Sequence, residues 1–450
     1  VLSSAALPGA VAEIHSAREI RAPLTRTVPA GNIDGFQFAL LDTPQEGARV
    51  ISFDTYEAVI GLVRPLPATA SAGAAFEVRS PEEAPVLAAR LVTATPLSRP
   101  LPEMSMRLAT TRGTNALLTR RGARTVHFIN AGFEDLLDIG GQQRPDLFAL
   151  HIEKAEPLPE LVIGVGERLA ADGSVIEPLD RKRLASDISD LRGRGIACAS
   201  ITLLHGHRNP VHEEQVEEML FDAGFEYVAR SSALSPFQGL LRSSETCSVY
   251  AYLGPVISEY LGAVEKGMGA DTSGLHVMTS AGGLVGADAY RSMDSLLSGP
   301  AGGVVGAALT GRRSGRRRVI AFDMGGTSTD VSRYDGDFEY VFSHEVGPLE
   351  LAVPALAIET VAAGGGSICR GEQGRLAVGP QRAGAMPGPA SYGARGPLTV
   401  TDVNLLLGRL VADRFPIPID LEAARARLAK LRRELAEAGR DAGSDEEILE

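Results

Sequence analysis

Two carboxylates flank a short glycine-rich turn within residues 319–334. Asp323 ends an apolar run, and Asp330 follows the turn. The side-chain period stays at two on both sides, so the turn is predicted to join two strands of a β-hairpin. Carboxylate oxygens can hold Mg²⁺, mostly through water. We therefore predict that Asp323 and Asp330 are catalytic carboxylates that orient a magnesium ion.

The turn itself has the composition of a phosphate-binding loop. Gly325 and Gly326 leave backbone N–H groups open to an anion, and Thr327 and Thr329 add hydroxyl donors. A P-loop or a dinucleotide fingerprint would lead from a strand into a helix, and the P-loop lysine is missing. A tight β-turn with Asx capping is the structural alternative. The complete pattern D-x-G-G-T-x-T-D favours phosphate binding.

Two further glycine-rich segments fall with the first inside about 70 residues. Taken singly, each favours a close-packing device, and the three together favour ligand binding. Residues 298–303 are predicted to form a loop that leads into a helix at 304–310, whose amino terminus would suit a phosphate or ribose. Residues 362–367 follow an apolar run and suit a backbone platform for adenosine. The candidate nucleotide-binding residues of the two segments are Gly299, Gly302, Gly303, Gly364, Gly365, Gly366 and Ser367.

The strands and helices predicted around these loops indicate an α/β protein. Residues 1–75 are strand-rich, residues 81–93 form an amphipathic helix, and strands and helices alternate from residue 107. A domain boundary is predicted near 205–230, where Pro210, Gly224 and a change of pattern occur together.

Composition excludes several classes of protein. The 450 residues are 44% hydrophobic and 22% charged, a globular balance, and the net charge of −12 argues against nucleic-acid or polybasic membrane-surface binding. No run is long enough to span a membrane. Three distant cysteines give neither a disulfide framework nor a thiolate zinc site. We expect a cytoplasmic protein.

A histidine cluster at residues 203–213 offers a second possible metal site. His205 and His207 share one face of an extended segment, and His212 follows nearby. Neutral imidazoles would suit zinc or manganese. A structural turn with a helix start is the alternative, and it is favoured.

The sequence resembles the hydantoinase A / 5-oxoprolinase family, a branch of the actin-like ATPase superfamily. The phrase FDMGGTSTDVSRYDG at 322–336 is similar to the family's second phosphate loop. Other segments match in the same order over most of the chain, and RPDLF and IETVAAGGGSICR are most similar to 5-oxoprolinases. The matching segments lie at 110–123, 133–150, 234–241, 280–284, 298–307, 362–370 and 387–409.

The resemblance implies an actin-like ATPase (ribonuclease H-like) fold, with two α/β lobes around a nucleotide cleft and β-hairpin phosphate loops. It implies an N-terminal-type domain at 1–205 and a core domain at 206–450. ATP would phosphorylate the carbonyl oxygen of a lactam or hydantoin ring, as in conversion of 5-oxoproline to glutamate, so that water can open the ring. The implied cofactors are ATP and Mg²⁺. The implied assembly is an oligomer with a hydantoinase B-type subunit or fused domain.

The sequence departs from the family pattern at three places. The family's first phosphate hairpin is not found, so we expect a further segment upstream and no ATP turnover by this polypeptide alone. The C-terminal region of the family is also not found. Ser391 stands where the family motif PGPACYG has cysteine, which excludes a thiol role there.

Three other functions stay open at this point. One is the ATPase subunit of an acetone- or acetophenone-carboxylase-like complex, because it shares the same loops. Another is a non-catalytic nucleotide-binding subunit. A sugar kinase is the third, and the long motifs do not favour it.

Overall fold

The computed structural model describes most of the chain. The described residues are 5–24, 28–29, 31–142, 148, 156–234, 238–269, 274–347, 349–372, 374–384, 387–393, 395–412, 415, 419–439 and 443–450. The predicted motif at 133–150 lies partly outside them, at 143–147 and 149–150.

The amino-terminal region is an antiparallel sheet covered by one helix. Its elements are β1 (Ala6–Ala10), β2 (Glu13–Ser16), β3 (Glu19–Arg21), β4 (Gln37–Leu40), β5 (Ala48–Asp54), β6 (Val59–Leu62), β7 (Ala75–Arg79) and α1 (Ala84–Thr93). The strand order is β1-β7-β4-β5-β6-β3-β2. The ring centroids of Phe38 and Phe76 lie 5.0 Å apart in its core, and Leu87 of α1 packs in the same core. The strand-rich prediction for 1–75 is confirmed for the described residues.

The middle of the chain alternates strands and helices. Its elements are β8 (Met106–Leu108), α2 (Arg112–Leu118), β9 (Thr125–Asn130), α3 (Leu136–Ile139), β10 (Leu161–Val165), β11 (Arg168–Leu169), β12 (Val175–Glu177), α4 (Arg181–Gly193), β13 (Cys198–Thr202), α5 (Val211–Asp222), β14 (Tyr227–Arg230), α6 (Ser231–Leu234) and α7 (Leu240–Met268). Strands β10-β9-β13-β14 form a parallel sheet in that order. Ile188 of α4 and Leu220 of α5 pack on one face, and α7 lies on the other.

The strands of this parallel sheet come from both sides of residue 205 in the sequence, and residue 205 is where the first domain was predicted to end. Strands β9 and β13 precede that point, and β14 follows it. A parallel neighbour can be reached only by a crossover connection, and α5 supplies it here. The sheet therefore continues to Arg230, while the division into 1–205 and 206–450 stays a prediction.

The remaining elements form small antiparallel sheets and helices. They are β15 (Leu275–Met278), β16 (Leu284–Gly286), α8 (Ser298–Arg313), β17 (Arg318–Met324), β18 (Thr329–Asp335), β19 (Tyr340–Val341), β20 (His344–Val346), β21 (Leu349–Leu351), β22 (Ala355–Leu356), β23 (Glu359–Val361), β24 (Ser367–Glu372), β25 (Arg375–Arg382), α9 (Val400–Leu406), α10 (Leu421–Glu437) and α11 (Asp445–Leu449). Strands β17-β18-β23 form one sheet beside α8. The predicted hairpin at 319–334 is confirmed as β17 and β18.

Helix α7 is the central element of the largest core. Its buried residues Leu253, Ile257, Leu261 and Val264 pack with Val277 of β15. None of the described helices is long and apolar enough to cross a membrane. The three cysteines form no disulfide.

Candidate functional site

The hairpin loop presents backbone N–H groups at its tip. Strands β17 and β18 pair with Met324 opposite Thr329, and the Gly325 N–H closes the loop by donating to the Ser328 carbonyl at 2.9 Å. The N–H groups of Gly326 and Thr327 donate to no protein acceptor in the described part of the chain. Both residues are exposed. Two adjacent free N–H groups without side-chain obstruction at Gly326 are suited to a phosphate oxygen.

The second glycine-rich segment is bound directly to this hairpin. Gly365 and Gly366 donate their N–H groups to the carbonyls of Gly325 and Gly326 at 2.9 and 2.8 Å. A Cβ on Gly364 would lie 2.7 Å from the Gly325 oxygen, so only glycine permits this approach. The two loops, 38 to 41 residues apart in sequence, therefore form one backbone unit.

Two residues predicted to contact the nucleotide, Thr329 and Ser367, form hydrogen bonds within this junction instead of facing outwards. The buried Thr329 hydroxyl donates to the Ala363 carbonyl at 2.6 Å. The Ser367 hydroxyl accepts from the Gly364 N–H at 3.0 Å within its own turn. Both side chains thus stabilise the loop pair. Of the predicted hydroxyl donors, Thr327 is the one that stays exposed.

Two residues that were not predicted from the sequence, Thr401 and Asp402, stabilise the junction between the two glycine-rich loops. Thr401 of α9 donates both its N–H and its hydroxyl to the Gly365 carbonyl, at 2.8 and 2.9 Å. Asp402 is fully buried and accepts from the N–H groups of Ala390, Ser391 and Thr399 at 2.8–3.0 Å. The signal for Asp402 was present as a capping box, Thr399-x-x-Asp402, which also starts α9.

The two predicted carboxylates meet at the base of the loop. Asp323 and Asp330 are opposite each other in the β17–β18 register, so both side chains lie on the same face. Asp323 is exposed, and Asp330 is half-buried and accepts from the Thr360 hydroxyl at 2.8 Å. The pair is thus open to solvent beside the free N–H groups.

The third glycine cluster differs from its prediction. The structure begins α8 at Ser298, so Gly299, Gly302 and Gly303 are helical residues and not a loop before residue 304. A Cβ on Gly299 would lie 2.6 Å from Thr111 Cγ2, so close packing requires this glycine. Gly302 and Gly303 donate within the helix. Of these three glycines, Gly299 is the one that lies in the first turn of α8, where a backbone N–H has no acceptor within the helix.

The three histidines do not converge on a metal. His212 is buried on α5 with its Nδ1 against the Glu167 carboxylate. The rings of His205 and His207 are 6.3 Å apart and line a cavity elsewhere. No group of three or more possible metal ligands occurs among the described residues. The suggested metal site at His205, His207 and His212 is therefore not supported.

A larger cavity of about 510 Å³ lies beside the start of α7 and is lined by a half-buried carboxyl group, that of Glu245. The Glu350 N–H donates to the Glu245 carboxylate at 3.1 Å, and Arg242 pairs with Glu350. Burial raises the pKa of Glu245 to about 7, and the neighbouring Glu350 carboxylate adds to the rise. This group was not predicted from the sequence, because nothing local marks its burial.

The chain combines a mixed α/β architecture with a glycine-rich hairpin that is flanked by two carboxylates. Two family models match the chain: the hydantoinase/oxoprolinase N-terminal region over 74–224 and the hydantoinase/oxoprolinase model over 243–445. The chain belongs to the hydantoinase/oxoprolinase family. The resemblance stated from the motifs is confirmed.

Individual relatives agree with this assignment. The chain is 40% identical over 357 residues to 5-oxoprolinase 1 of Arabidopsis thaliana, covering 72% of this chain and 28% of that protein. It is 31% identical over 338 residues to the acetophenone carboxylase gamma subunit of Aromatoleum aromaticum, covering 69% and 46%. The chain thus spans just over a quarter of the plant relative's length.

A solved structure confirms the expected fold. The ATP-dependent caprolactamase from Pseudomonas jessenii superposes with a TM-score of 0.68 at 26% identity, covering 94% of this chain and 60% of that one. The actin-like ATPase type of fold predicted from the resemblance is therefore confirmed.

Replacement of Gly364 by alanine tests the contact between the loops. The new Cβ would lie 2.7–2.8 Å from backbone atoms of Gly325 and Thr327. We expect the loops to separate, with a loss of about 1–3 kcal/mol in the free energy of unfolding and weaker ATP binding. Urea denaturation and ATP titration measure the two effects.

Gly306→Ala is the matched control, because its Cβ would meet no atom within 4 Å in the middle of α8. It should keep ATP binding and gain up to about 1 kcal/mol from helix propensity. Equal behaviour of the two variants would contradict the proposed contact.

The raised pKa of Glu245 predicts a pH dependence of stability. The ordinary value is 4.5 and the folded value is about 7, so the folded state holds this proton more tightly. The group's contribution is fully present below pH 4.5 and is lost as the pH rises through 7, by up to about 3 kcal/mol. Glu245→Gln should flatten this part of the stability–pH curve.

Glu259→Gln serves as its control, because Glu259 is exposed on the same helix. Urea denaturation from pH 4.5 to 8 compares both with the parent chain. A Glu245→Gln curve that keeps the parent slope would show that Glu245 is not the group responsible.

Proposed function

We propose that the chain takes part in the ATP-dependent opening of a cyclic amide, a lactam or a hydantoin. The observation that carries this proposal is the hairpin tip, where the free N–H groups of Gly326 and Thr327 lie beside the carboxylates of Asp323 and Asp330. Relatives named 5-oxoprolinase and caprolactamase support a ring amide as the substrate.

The reaction needs activation because a ring amide resists attack by water. Transfer of the terminal phosphoryl group from ATP to the ring carbonyl oxygen forms an O–P bond and releases ADP. Water then adds to the activated carbon, the C–N bond breaks, and orthophosphate leaves. Protein groups contribute positioning and charge neutralisation to the first step. In this proposal the N–H groups of Gly326 and Thr327 and the Thr327 hydroxyl hold the phosphates, while Gly325 closes the loop through its bond to Ser328.

The carboxylate pair fits a magnesium ion held mostly through water. Asp323 and Asp330 share one face of the hairpin and are open to solvent, while the described residues provide no third carboxylate or imidazole there. A bound Mg²⁺ would neutralise charge on the transferred phosphoryl group. Asp323 and Asp330 would orient it through its water ligands.

The other glycines have supporting roles in the proposal. Gly299, in the first turn of α8, is the residue of that helix suited to a phosphate or ribose oxygen. Gly302 permits close packing there, because an added Cβ would lie 3.0 Å from the Ala109 Cβ, whereas an added Cβ on Gly303 would meet no atom within 4 Å. The segment from Gly364 to Ser367 forms the rim on which adenosine would lie, and its own N–H groups hold the hairpin.

An exposed apolar face supports the expected partner subunit. Ile320, Phe322 and Met324 project from one side of β17 with exposed fractions of 74%, 67% and 41%, and Val361 of β23 lies on the same side. Apolar patches of this kind mark protein interfaces. We propose that a hydantoinase B-type subunit or domain covers them in a cytoplasmic assembly.

The second candidate function is the ATPase subunit of a ketone carboxylase. The 31% identity to the acetophenone carboxylase gamma subunit favours it, since the match covers 69% of this chain. Phosphorylation of a ketone enolate would use the same hairpin. A non-catalytic nucleotide-binding subunit is the outcome if no substrate stimulates turnover.

Replacement of Asp323 by asparagine tests the magnesium role. We expect Mg²⁺-dependent ATP binding to weaken at least about tenfold, because one charged ligand of the hydrated ion is lost. Asp335→Asn is the control at the far end of the hairpin, where the carboxylate pairs with Arg318. Calorimetric titration with and without Mg²⁺ measures the effect, and unchanged Mg-ATP binding in Asp323→Asn would refute the role.

Phosphate release with different substrates decides between the functions. The protein, together with a hydantoinase B-type subunit, would be given ATP and one substrate at a time. The substrates are 5-oxo-L-proline, hydantoins, acetone plus bicarbonate, and acetophenone plus bicarbonate. Stimulation by a ring amide is the expected result. Release only with a ketone and bicarbonate would favour the carboxylase, and ATP binding without release would favour the non-catalytic subunit.

A further inference from the structure

The cavity of about 510 Å³ beside the start of α7 is lined by both apolar and polar side chains. Leu158 and Leu349 line it and also pack against the main core. Small-molecule sites are clefts of roughly 300–1,000 Å³ that combine apolar walls with a few polar groups, which fix the orientation of the ligand. The cavity therefore has the size and the lining of a small-molecule site.

The spacing of residues along α7 places Glu245 on the wall of this cavity. Leu241, Glu245 and Ser248 follow one another at intervals of four and three residues, so they share one face of the helix. All three line the cavity. Ser248 is buried and Glu245 is half-buried. The Glu245 carboxyl is thus a polar group in a partly apolar cleft.

The two oxygens of this carboxyl have different protein partners. Oε2 accepts the Glu350 N–H at 3.1 Å, and the Glu245 carboxyl makes no other hydrogen bond within the described ranges. A carbonyl oxygen is the better acceptor, so in the protonated group we assign Oε2 as the carbonyl oxygen and Oε1 as the hydroxyl. Oε1 then offers a donor, and Oε2 keeps one free lone pair beside it.

The surroundings of Glu245 favour its protonated form. The neighbouring Glu350 carboxylate pairs with Arg242 and accepts from the Ser343 hydroxyl at 2.9 Å. Burial raises the pKa of Glu245 to about 7, and the Glu350 charge adds to the rise despite the opposing effects of Arg242 and of the Glu350 N–H. The other charged residues on the wall, in the described part of the chain, are Asp138 and Glu156.

A protonated carboxyl is complementary to the amide edge of a small ring. Ring closure forces the amide of a lactam or hydantoin into the cis form, so its N–H and C=O lie side by side. Open-chain secondary amides are trans, with the two groups on opposite sides. A ring amide can therefore donate its N–H to Oε2 and accept the Oε1 proton at the same time. Two parallel hydrogen bonds add specificity of geometry as well as energy.

We propose that this cavity binds the ring amide, with the Glu245 carboxyl hydrogen-bonded to both the N–H and the carbonyl oxygen of the ring. The choice of ligand rests on the proposed function, in which a lactam or a hydantoin is opened. Glu245 is then a specificity-determining residue, which selects cis amides that keep their N–H. The ring oxygen retains a second lone pair, and that pair is available to a phosphoryl group.

Calorimetric titration at pH 6 without ATP tests the site. The ligands 2-pyrrolidinone and hydantoin have a cis amide with its N–H, 1-methyl-2-pyrrolidinone lacks the N–H, and N-methylacetamide is trans. We expect 2-pyrrolidinone to bind at least about tenfold more tightly than either of the last two, since each of them loses one of the two hydrogen bonds.

Two substitutions of Glu245 separate hydrogen bonding from charge. Glu245→Gln keeps one donor and one acceptor, so its affinity for 2-pyrrolidinone should not change between pH 6 and 9. The affinity of the parent protein should fall about tenfold for each pH unit above 7, because only the protonated carboxyl can donate. Glu245→Leu has neither group and should lose about tenfold or more at pH 6.

Glu259→Leu is the matched control. Glu259 is exposed on the same helix and is not among the described residues that line the cavity. This variant should bind 2-pyrrolidinone as the parent protein does, with the same pH dependence. Circular dichroism and urea denaturation verify that each variant is folded.

Three outcomes would rule out the Glu245 site. They are no binding of 2-pyrrolidinone or hydantoin to the parent protein at concentrations on the order of tens of millimolar, equal binding of 1-methyl-2-pyrrolidinone, and unchanged binding in Glu245→Leu. Phosphate release tests the proposed function separately. Ring amides that bind through Glu245 without stimulating release would contradict the function alone, whereas stimulated release with unchanged binding in Glu245→Leu would contradict this site alone.

Discussion

The hydrogen bonds between two glycine-rich loops are the constraint on which the site depends. Gly365 and Gly366 use their N–H groups to bind the hairpin carbonyls, and no Cβ fits between the two backbones. Because the hairpin accepts these bonds through its oxygens, the N–H groups of Gly326 and Thr327 stay free. The same contact that fixes the loop thus leaves two adjacent N–H groups without a protein acceptor, in an arrangement suited to an anion.

A buried carboxylate extends this constraint to the rest of the carboxyl-terminal region. Asp402 accepts hydrogen bonds from three backbone N–H groups and from the Thr399 hydroxyl. These bonds connect the turn at residues 390–392 to α9. The neighbouring Thr401 carries the restraint to Gly365. A fully satisfied buried charge of this kind favours one arrangement of the loops, since any other would leave it unpaired.

Local patterns in the sequence were sufficient for some of these features. Alternation on both sides of the turn predicted the hairpin, because a period of two is a property of each strand alone. The start of α8 was placed six residues late, because glycines are typical of loops and the packing of Gly299 against Thr111 is not visible in the sequence. The hydroxyl of Thr329 was predicted to face a phosphate, and only the distant Ala363 carbonyl explains its burial.

Helix α7 packs against the parallel sheet and also against β21, which follows the β17–β18 hairpin in the sequence. No sequence motif predicts these contacts. The second turn of the helix places Glu245 against Glu350 of β21, and the Thr246 hydroxyl accepts from the Ala352 N–H. Further along, the helix forms the main core with β15. The helix therefore contacts both the parallel sheet and a strand that follows the β17–β18 hairpin. Because close-packed interiors transmit strain, a substitution that displaces α7 would also displace that strand.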